Sequence, residues 1–68
     1  MNIEQYNEKL RSDYGENITV QIKKHIEDDD NVFYYYTSAR YEDSDFFETI
    51  KEAYDAACLY LSYVGELW

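Results

Sequence analysis

Apolar positions within residues 2–14 recur at helical spacing, which predicts a short amphipathic helix with one narrow apolar stripe. Asn2, followed by Gln5 three residues later, has the spacing of a capping box, and Gly15 is placed to end the helix in the left-handed conformation. A helix this short is not stable alone, so we expect its stripe to pack on the rest of the chain. The stripe consists of Ile3, Tyr6, Leu10 and Tyr14.

Residues 17–26 change from helical spacing to alternation, which is typical of a half-exposed β-strand. Lys24 interrupts the apolar side near its end, as expected where a strand leaves the core. The predicted core side carries Ile18, Val20, Ile22 and Ile26. The predicted solvent side carries Thr19, Gln21, Lys23 and His25.

The stretch VFYYYTSARY, residues 32–41, reads as a second strand that is aromatic on both sides. Because strand side chains alternate, Tyr34 and Tyr36 share one face, which we expect to lie opposite the core. The polar link 27–31 is short, which predicts an antiparallel hairpin, but it has no Asn-Gly or Asp-Gly pair to fix the register. The face predicted to meet the core carries Phe33, Tyr35, Ala39 and Tyr41.

A long helix is predicted to begin at a cap formed by Ser44 or Asp45, with Glu48 at the matching position, and to end at Gly65. Its two alanines allow close approach to the sheet, and beyond Asp55 the helix is apolar nearly all round. A helix apolar on every side is expected to be buried on every side, either by the first helix or by another chain. The core stripe is Phe46, Ile50, Ala53, Ala57, Leu61 and Val64, and the opposite, acidic face is Glu48, Glu52 and Asp55.

Together these elements predict an α+β fold with the order α-β-β-α and a single domain over residues 1–68. An antiparallel hairpin is packed by a long C-terminal helix and a short N-terminal helix. One cysteine cannot form an intrachain disulfide. The first residues lack the basic start and apolar run of a signal peptide, and no apolar stretch approaches the ~20 residues that span a bilayer, so we expect a cytoplasmic protein.

No group of residues has the spacing of a catalytic or cofactor site. His25 has no companion residue for catalysis or metal binding, and nothing basic is placed to activate Cys58. The acidic run 27–31 lacks the alternating ligands and central glycine of a calcium loop. With only two glycines, the chain has no glycine-rich loop to hold a phosphate. The sequence therefore predicts a protein without cofactor or metal that is not an enzyme.

Charge is concentrated in the middle of the chain. The net charge is −9, which argues against direct binding to nucleic acid or to an anionic membrane and favours a basic protein partner or simple solubility. Residues 27–55 contain ten acids and two bases, Arg40 and Lys51, which gives −8 of that total.

Spaced carboxylates with aromatic side chains between them can occupy a Lys/Arg groove built for a nucleic-acid backbone. The alternative interpretation is that these acids cap a helix, fill a turn and solvate a helix face. The candidate partner-binding residues are Glu27, Asp28, Asp29, Asp30, Tyr34, Tyr36, Glu42, Asp43, Asp45, Glu48, Glu52 and Asp55.

In size, charge and lack of catalytic residues, the chain resembles small acidic phage-encoded inhibitors, among them anti-CRISPR proteins and DNA mimics. That resemblance rests on the acids of residues 27–30, 42–48 and 52–55. It implies a non-enzymatic inhibitor, acting in the host cytoplasm, that binds a basic, nucleic-acid-binding surface of a target such as a CRISPR effector. The second strand, Ser44-Asp45 and the helix to Leu61 also look like the strand-to-helix unit of HicB-type antitoxin domains.

The second hypothesis is a structural or interaction module, antitoxin-like or an obligate oligomer, that uses the apolar end of the last helix. Its predicted contact residues are Leu59, Tyr63 and Trp68.

Overall fold

A computed structural model describes residues 1–38 and 43–64 of the chain. The elements are helix α1 (Ile3–Tyr14), strand β1 (Gln21–Asp28), strand β2 (Asn31–Thr37) and helix α2 (Ile50–Val64). The strands form an antiparallel two-stranded sheet. The predicted α+β fold with the order α-β-β-α is confirmed. Predictions that fell on Ala39, Tyr41, Glu42, Gly65 and Trp68 lie outside the described residues.

Helix α1 begins and ends where its capping residues predict. The Asn2 side chain accepts a hydrogen bond from the Gln5 backbone N–H at 2.9 Å, and the Gln5 side chain accepts one from the Asn2 N–H at 2.8 Å. Gly15 follows the helix with φ 124° and ψ 144°, a positive φ that favours glycine. Its ψ lies outside the left-handed helical region, so the predicted left-handed conformation is not formed. A turn follows, in which the Ile18 N–H donates to the Gly15 carbonyl at 3.3 Å.

The hairpin is closed by a two-residue turn at Asp29-Asp30, with an irregularity between Ile26 and Asp28 in β1. The Asp28 carboxylate organises the turn by accepting hydrogen bonds from the Asp30 and Asn31 backbone N–H groups at 2.9 and 3.0 Å. It also accepts from the Asn31 side chain at 2.9 Å. An Asp side chain therefore supplies the turn signal that an Asn-Gly or Asp-Gly pair would otherwise give.

The core lies between the two helices and one face of the sheet. Partly buried aromatic side chains of all three parts surround it, including a Tyr6–Tyr54 ring contact between the helices at 4.9 Å. The predicted helical stripes are confirmed at their described central positions. The buried apolar side chains are Leu10, Val20, Ile22, Ala53, Ala57 and Leu61.

The face assignment of β2 was wrong. Ile22 pairs with Tyr36 and Lys24 pairs with Tyr34, and directly opposed residues of an antiparallel pair share a face. Tyr34 and Tyr36 are therefore half-buried against the core, whereas Phe33 and Tyr35 lie on the outer face. Ile26, predicted to be in the core, is 61% exposed because it lies beside the turn, outside the core cluster.

Helix α2 begins about five residues later than the predicted Ser44 or Asp45 cap. Thr49 caps it instead: its hydroxyl accepts from the Glu52 backbone N–H at 3.1 Å and donates to the Glu52 carboxylate at 3.0 Å. The preceding residues pair with the free edge of β2. Phe47 and Tyr34 exchange two backbone hydrogen bonds of 2.7 and 2.8 Å, and the Ser44 N–H donates to the Tyr36 carbonyl at 2.9 Å.

A candidate protein-binding surface

Every acidic side chain in the described part of the chain is exposed. Among these residues only Asp13 and Asp55 form ion pairs, with Lys9 at 3.7 Å and with Lys51 at 3.0 Å. Both pairs are exposed i,i+4 helix pairs, which contribute little to stability. The fold therefore leaves most of its negative charge uncompensated.

Three of the candidate acids have structural roles, as the alternative interpretation held. Asp28 organises the turn, Glu52 completes the cap of α2, and Asp55 pairs with Lys51. The hydrogen bonds from Asn31, followed by that from the Asp30 N–H, lower the pKa of Asp28. The hydrogen bond to Asp55 raises the pKa of Lys51.

Six other candidate acids are available to a partner. Their carboxylates have no ion pair or side-chain hydrogen bond within the described residues, and we call them the free carboxylates. They flank the hairpin turn and the segment that pairs with β2. The free carboxylates are Glu27, Asp29, Asp30, Asp43, Asp45 and Glu48.

The outer face of the sheet carries a stacked aromatic group centred on Phe46. The Phe46 ring lies 4.6 Å from the His25 ring at an interplanar angle of 11° and 5.9 Å from the Phe33 ring at 18°. The Tyr35 ring meets it edge-on at 5.5 Å. Phe46 itself is 52% exposed. We call His25, Phe33, Tyr35 and Phe46 the aromatic platform.

Strand pairing explains why these residues meet. His25 lies directly opposite Phe33, and Tyr35 is two residues further along β2, so all three occupy the face away from the helices. The extended segment before α2 then alternates: Phe47 packs against the core, and Phe46 turns outward over the sheet. Phe46 thus partly covers an aromatic face that no helix covers.

The Phe46 position was missed by the sequence reasoning, which placed this residue in the core stripe of α2. A signal for it was present. Thr49 and Glu52 have the spacing of a capping box, and a helix that begins after Thr49 leaves Phe46 and Phe47 in the preceding segment.

Two free carboxylates, Glu48 and Glu27, each lie two residues from a platform residue in the sequence. Glu48 follows Phe46 by two residues, whereas Asp45 lies near the Tyr36 phenol on the other side of the sheet. Glu27 follows His25 by two residues, at the irregularity of β1 between Ile26 and Asp28. Lys23 lies opposite Tyr35 and is the lysine of β1 that shares the face of the aromatic platform. An exposed aromatic ring with carboxylates beside it suits a ligand that is both cationic and flat.

The predicted anchors Tyr34 and Tyr36 do not belong to this surface. Tyr36 packs on Tyr60 of α2 with ring centroids 5.3 Å apart. Burial, and then the nearby charge of Asp45, raises the pKa of the Tyr36 phenol. Tyr34 borders an open groove of about 400 Å³ beside Lys24 and the first residues of α1.

The C-terminal half of α2 is only partly covered. Helix α1 packs on one side, where hydrogen bonding to Cys58 raises the pKa of the Tyr14 phenol. On α2, Leu59 remains 62% exposed and Tyr63 remains 84% exposed. The expectation of burial on every side is therefore wrong for the isolated chain.

Comparisons with protein-family models, curated proteins and solved structures find no match to this chain. Within residues 1–38 and 43–64, no His, Cys, Asp and Glu side chains group in threes as a metal site requires. In the same residues, neither helix has the length and apolar character needed to cross a bilayer.

Proposed function

We propose that this protein is a non-enzymatic inhibitor that binds a basic, nucleic-acid-binding surface of a target protein such as a CRISPR effector, in the cytoplasm of the host cell. The observation that carries the proposal is the position of Phe46, half-exposed over the uncovered sheet face, in a chain whose acidic side chains are exposed throughout its described part. When a partner covers an apolar ring in such a position, the ring is removed from water, which favours binding.

Electrostatics define the kind of partner. A net charge of −9 with exposed, unpaired carboxylates attracts a cationic surface over a Debye length of about 10 Å and accelerates association. A groove lined with Lys and Arg that binds phosphates also binds carboxylates through charge-assisted hydrogen bonds. The aromatic platform supplies the central anchor that charge alone does not give.

Three of the candidate acids have structural roles, which reduces the number of residues to which we assign partner binding. Asp28, Glu52 and Asp55 hold the turn and α2, so we assign binding to the free carboxylates and the platform. Glu42 lies outside the described residues and remains a candidate by sequence. Phe46 replaces Tyr34 and Tyr36 as the aromatic anchor.

The test is capture from host lysate at low and high salt, followed by elution with duplex DNA or RNA. We expect a nucleic-acid-binding protein that is retained at low salt and released by either salt or nucleic acid. The triple variant Asp29→Asn, Asp43→Asn, Asp45→Asn should lose this capture. The matched control Glu4→Gln, Glu8→Gln, Glu16→Gln removes the same charge from α1 and its following turn, and should retain it.

Equal loss of capture in both triple variants would show that capture depends only on net charge, and it would refute a defined acidic binding surface. A captured partner that nucleic acid does not displace would refute the proposed blocking of a nucleic-acid site.

The second candidate function is an interaction module that self-associates through α2. Its supporting observation is the exposure of Leu59 and Tyr63 on a helix half, residues 56–64, that contains no charged residue. Light scattering should then show an oligomer that is insensitive to salt and dissociated by Leu59→Asp or Tyr63→Asp. Ile26→Asp places the same charge on an exposed apolar position of the hairpin and should leave the oligomer intact. A monomer at high concentration would refute this candidate.

A further inference from the structure

We propose that the aromatic platform selects arginine over lysine in the basic partner, with an arginine side chain stacked on Phe46 and paired with a neighbouring free carboxylate. This inference rests on the proposed function and names the chemistry that its binding surface recognises.

The orientation of Phe46 provides the stacking site. Its ring is within 11° of parallel to His25 and within 18° of parallel to Phe33, so one ring face lies against the sheet. Phe46 is 52% exposed, from which we infer that the opposite ring face is open to solvent. Tyr35 meets the ring edge-on and limits its rotation. A flat group can therefore lie on an already fixed ring with little further ordering of the protein.

The carboxylates distinguish the two basic side chains. A guanidinium is planar and carries its N–H donors in that plane, so it can stack on a ring and still bind a carboxylate at the ring edge. Glu48 lies two residues after Phe46, and Glu27 lies two residues beyond His25, at the irregularity of β1. A lysine ammonium is a compact, strongly hydrated charge that gains less from an exposed aromatic face.

Charge also decides against a nucleic-acid base as the stacked group. Bases do stack on aromatic platforms, but binding sites of that kind also place basic side chains along the phosphates. Here Glu27 and Glu48 each lie two residues from a platform residue, and of the bases on β1 only Lys23 and the stacked His25 occupy this face. A cationic protein segment matches this surface.

The experiment compares two fluorescent peptides of equal length and charge, one with arginine and one with lysine at every basic position in a Gly/Ser background. Binding to the full chain is measured by anisotropy at fixed low salt and again at high salt. We expect the arginine peptide to bind about two- to fivefold more tightly, the size expected for one exposed cation–π contact. Phe46→Ala and Phe46→Leu should both reduce that ratio to about one and retain the salt-dependent binding.

Phe46→Leu keeps apolar contact with the sheet, and circular dichroism confirms that each variant folds. Tyr63→Ala removes an exposed aromatic ring from α2 and should leave the ratio unchanged. Equal affinity of the wild-type chain for both peptides, or a preference that persists in both Phe46 variants, would overturn the arginine assignment and leave the proposed function standing. Failure to bind either peptide at low salt would overturn the proposed function as well.

Discussion

Asn7 of α1 hydrogen-bonds to both backbone groups of Ile22 in β1. Its side-chain oxygen accepts from the Ile22 N–H at 2.7 Å, and its NH₂ group donates to the Ile22 carbonyl at 3.2 Å. The asparagine thereby reproduces the pair of hydrogen bonds that a neighbouring strand would make. Because Ile22 is 1% exposed, water has little access to these groups.

Asn7→Ala leaves a donor and an acceptor of a buried residue unpaired, so we expect the free energy of unfolding to fall by about 1–3 kcal/mol. Urea denaturation followed by circular dichroism measures the change. Asn17→Ala is the control, since Asn17 is exposed in the turn after α1 and should change stability by no more than roughly 0.5 kcal/mol. Equal effects of the two substitutions would contradict the role given to Asn7.

Local signals explain which parts of the fold were predictable. The cap of α1 at Asn2 and the stripe around Leu10 depend on neighbours in sequence, and both were right. The faces of β2 were not predictable, because both sides of this strand carry aromatic side chains. The sequence therefore has no alternation of polar and apolar residues to show which side is buried. The pairing of Ile22 with Tyr36 determines which face of β2 meets the core. That register depends on the irregularity at Glu27, which the sequence pattern does not reveal.

The candidate site likewise has features that the sequence predicts and features that it does not predict. Exposure of the acids could be predicted, because carboxylates are rarely buried without a partner. The roles of Asp28 and Glu52 were foreseen only as an alternative. The position of Phe46 over His25 depends on Phe47 pairing with the edge of β2, a contact between residues thirteen apart in sequence. No periodicity within one element encodes such a contact.

Asp28 should matter more to stability than its equally charged neighbour Asp29. Its carboxylate accepts hydrogen bonds from the turn backbone and from Asn31, whereas Asp29 lies in the exposed turn without such a bond. We therefore expect Asp28→Ala to lower the thermal midpoint and Asp29→Ala to leave it unchanged or raise it, because that substitution relieves like-charge repulsion. A lower midpoint for Asp29→Ala than for Asp28→Ala would contradict this.

The contribution of Asp28 should depend on pH. Its pKa is lowered in the folded chain from the ordinary 3.8, so the folded state binds the proton less tightly than the unfolded state. The stabilisation is complete above the unfolded value and disappears as pH falls through the lower folded value. Thermal scans should show the difference between wild type and Asp28→Ala shrinking below about pH 3.8. A difference that stays constant into strong acid would exclude the charged hydrogen bonds as its source.

Lys24 should protect the open edge of β1 from other strands. Its partner Tyr34 directs its own N–H and C=O to Phe47, away from β1, so the backbone groups of Lys24 point away from β2. No hydrogen bond reaches them within the described residues. Lys24→Leu removes the charge beside exposed Ile26 and should increase association in light scattering. Lys9→Leu makes the same change on α1 and should not, and equal association in both variants would refute the edge effect.

The close approach of α2 to the sheet depends on Ala53 and Ala57, both of which are 0% exposed. Ala57→Leu introduces three additional carbons into this contact, and we expect the free energy of unfolding to fall by about 1–3 kcal/mol as the helix is displaced. Ala56→Leu is the matched control, because Ala56 is on the same helix but only half-buried. The leucine side chain at position 56 can extend toward solvent, so the loss of unfolding free energy should be smaller than for Ala57→Leu. Leucine also has a high helix propensity among bulky residues, which keeps this loss small. Urea denaturation of both variants measures the difference, and a loss for Ala56→Leu equal to that for Ala57→Leu would show that α2 does not require a small residue against the sheet.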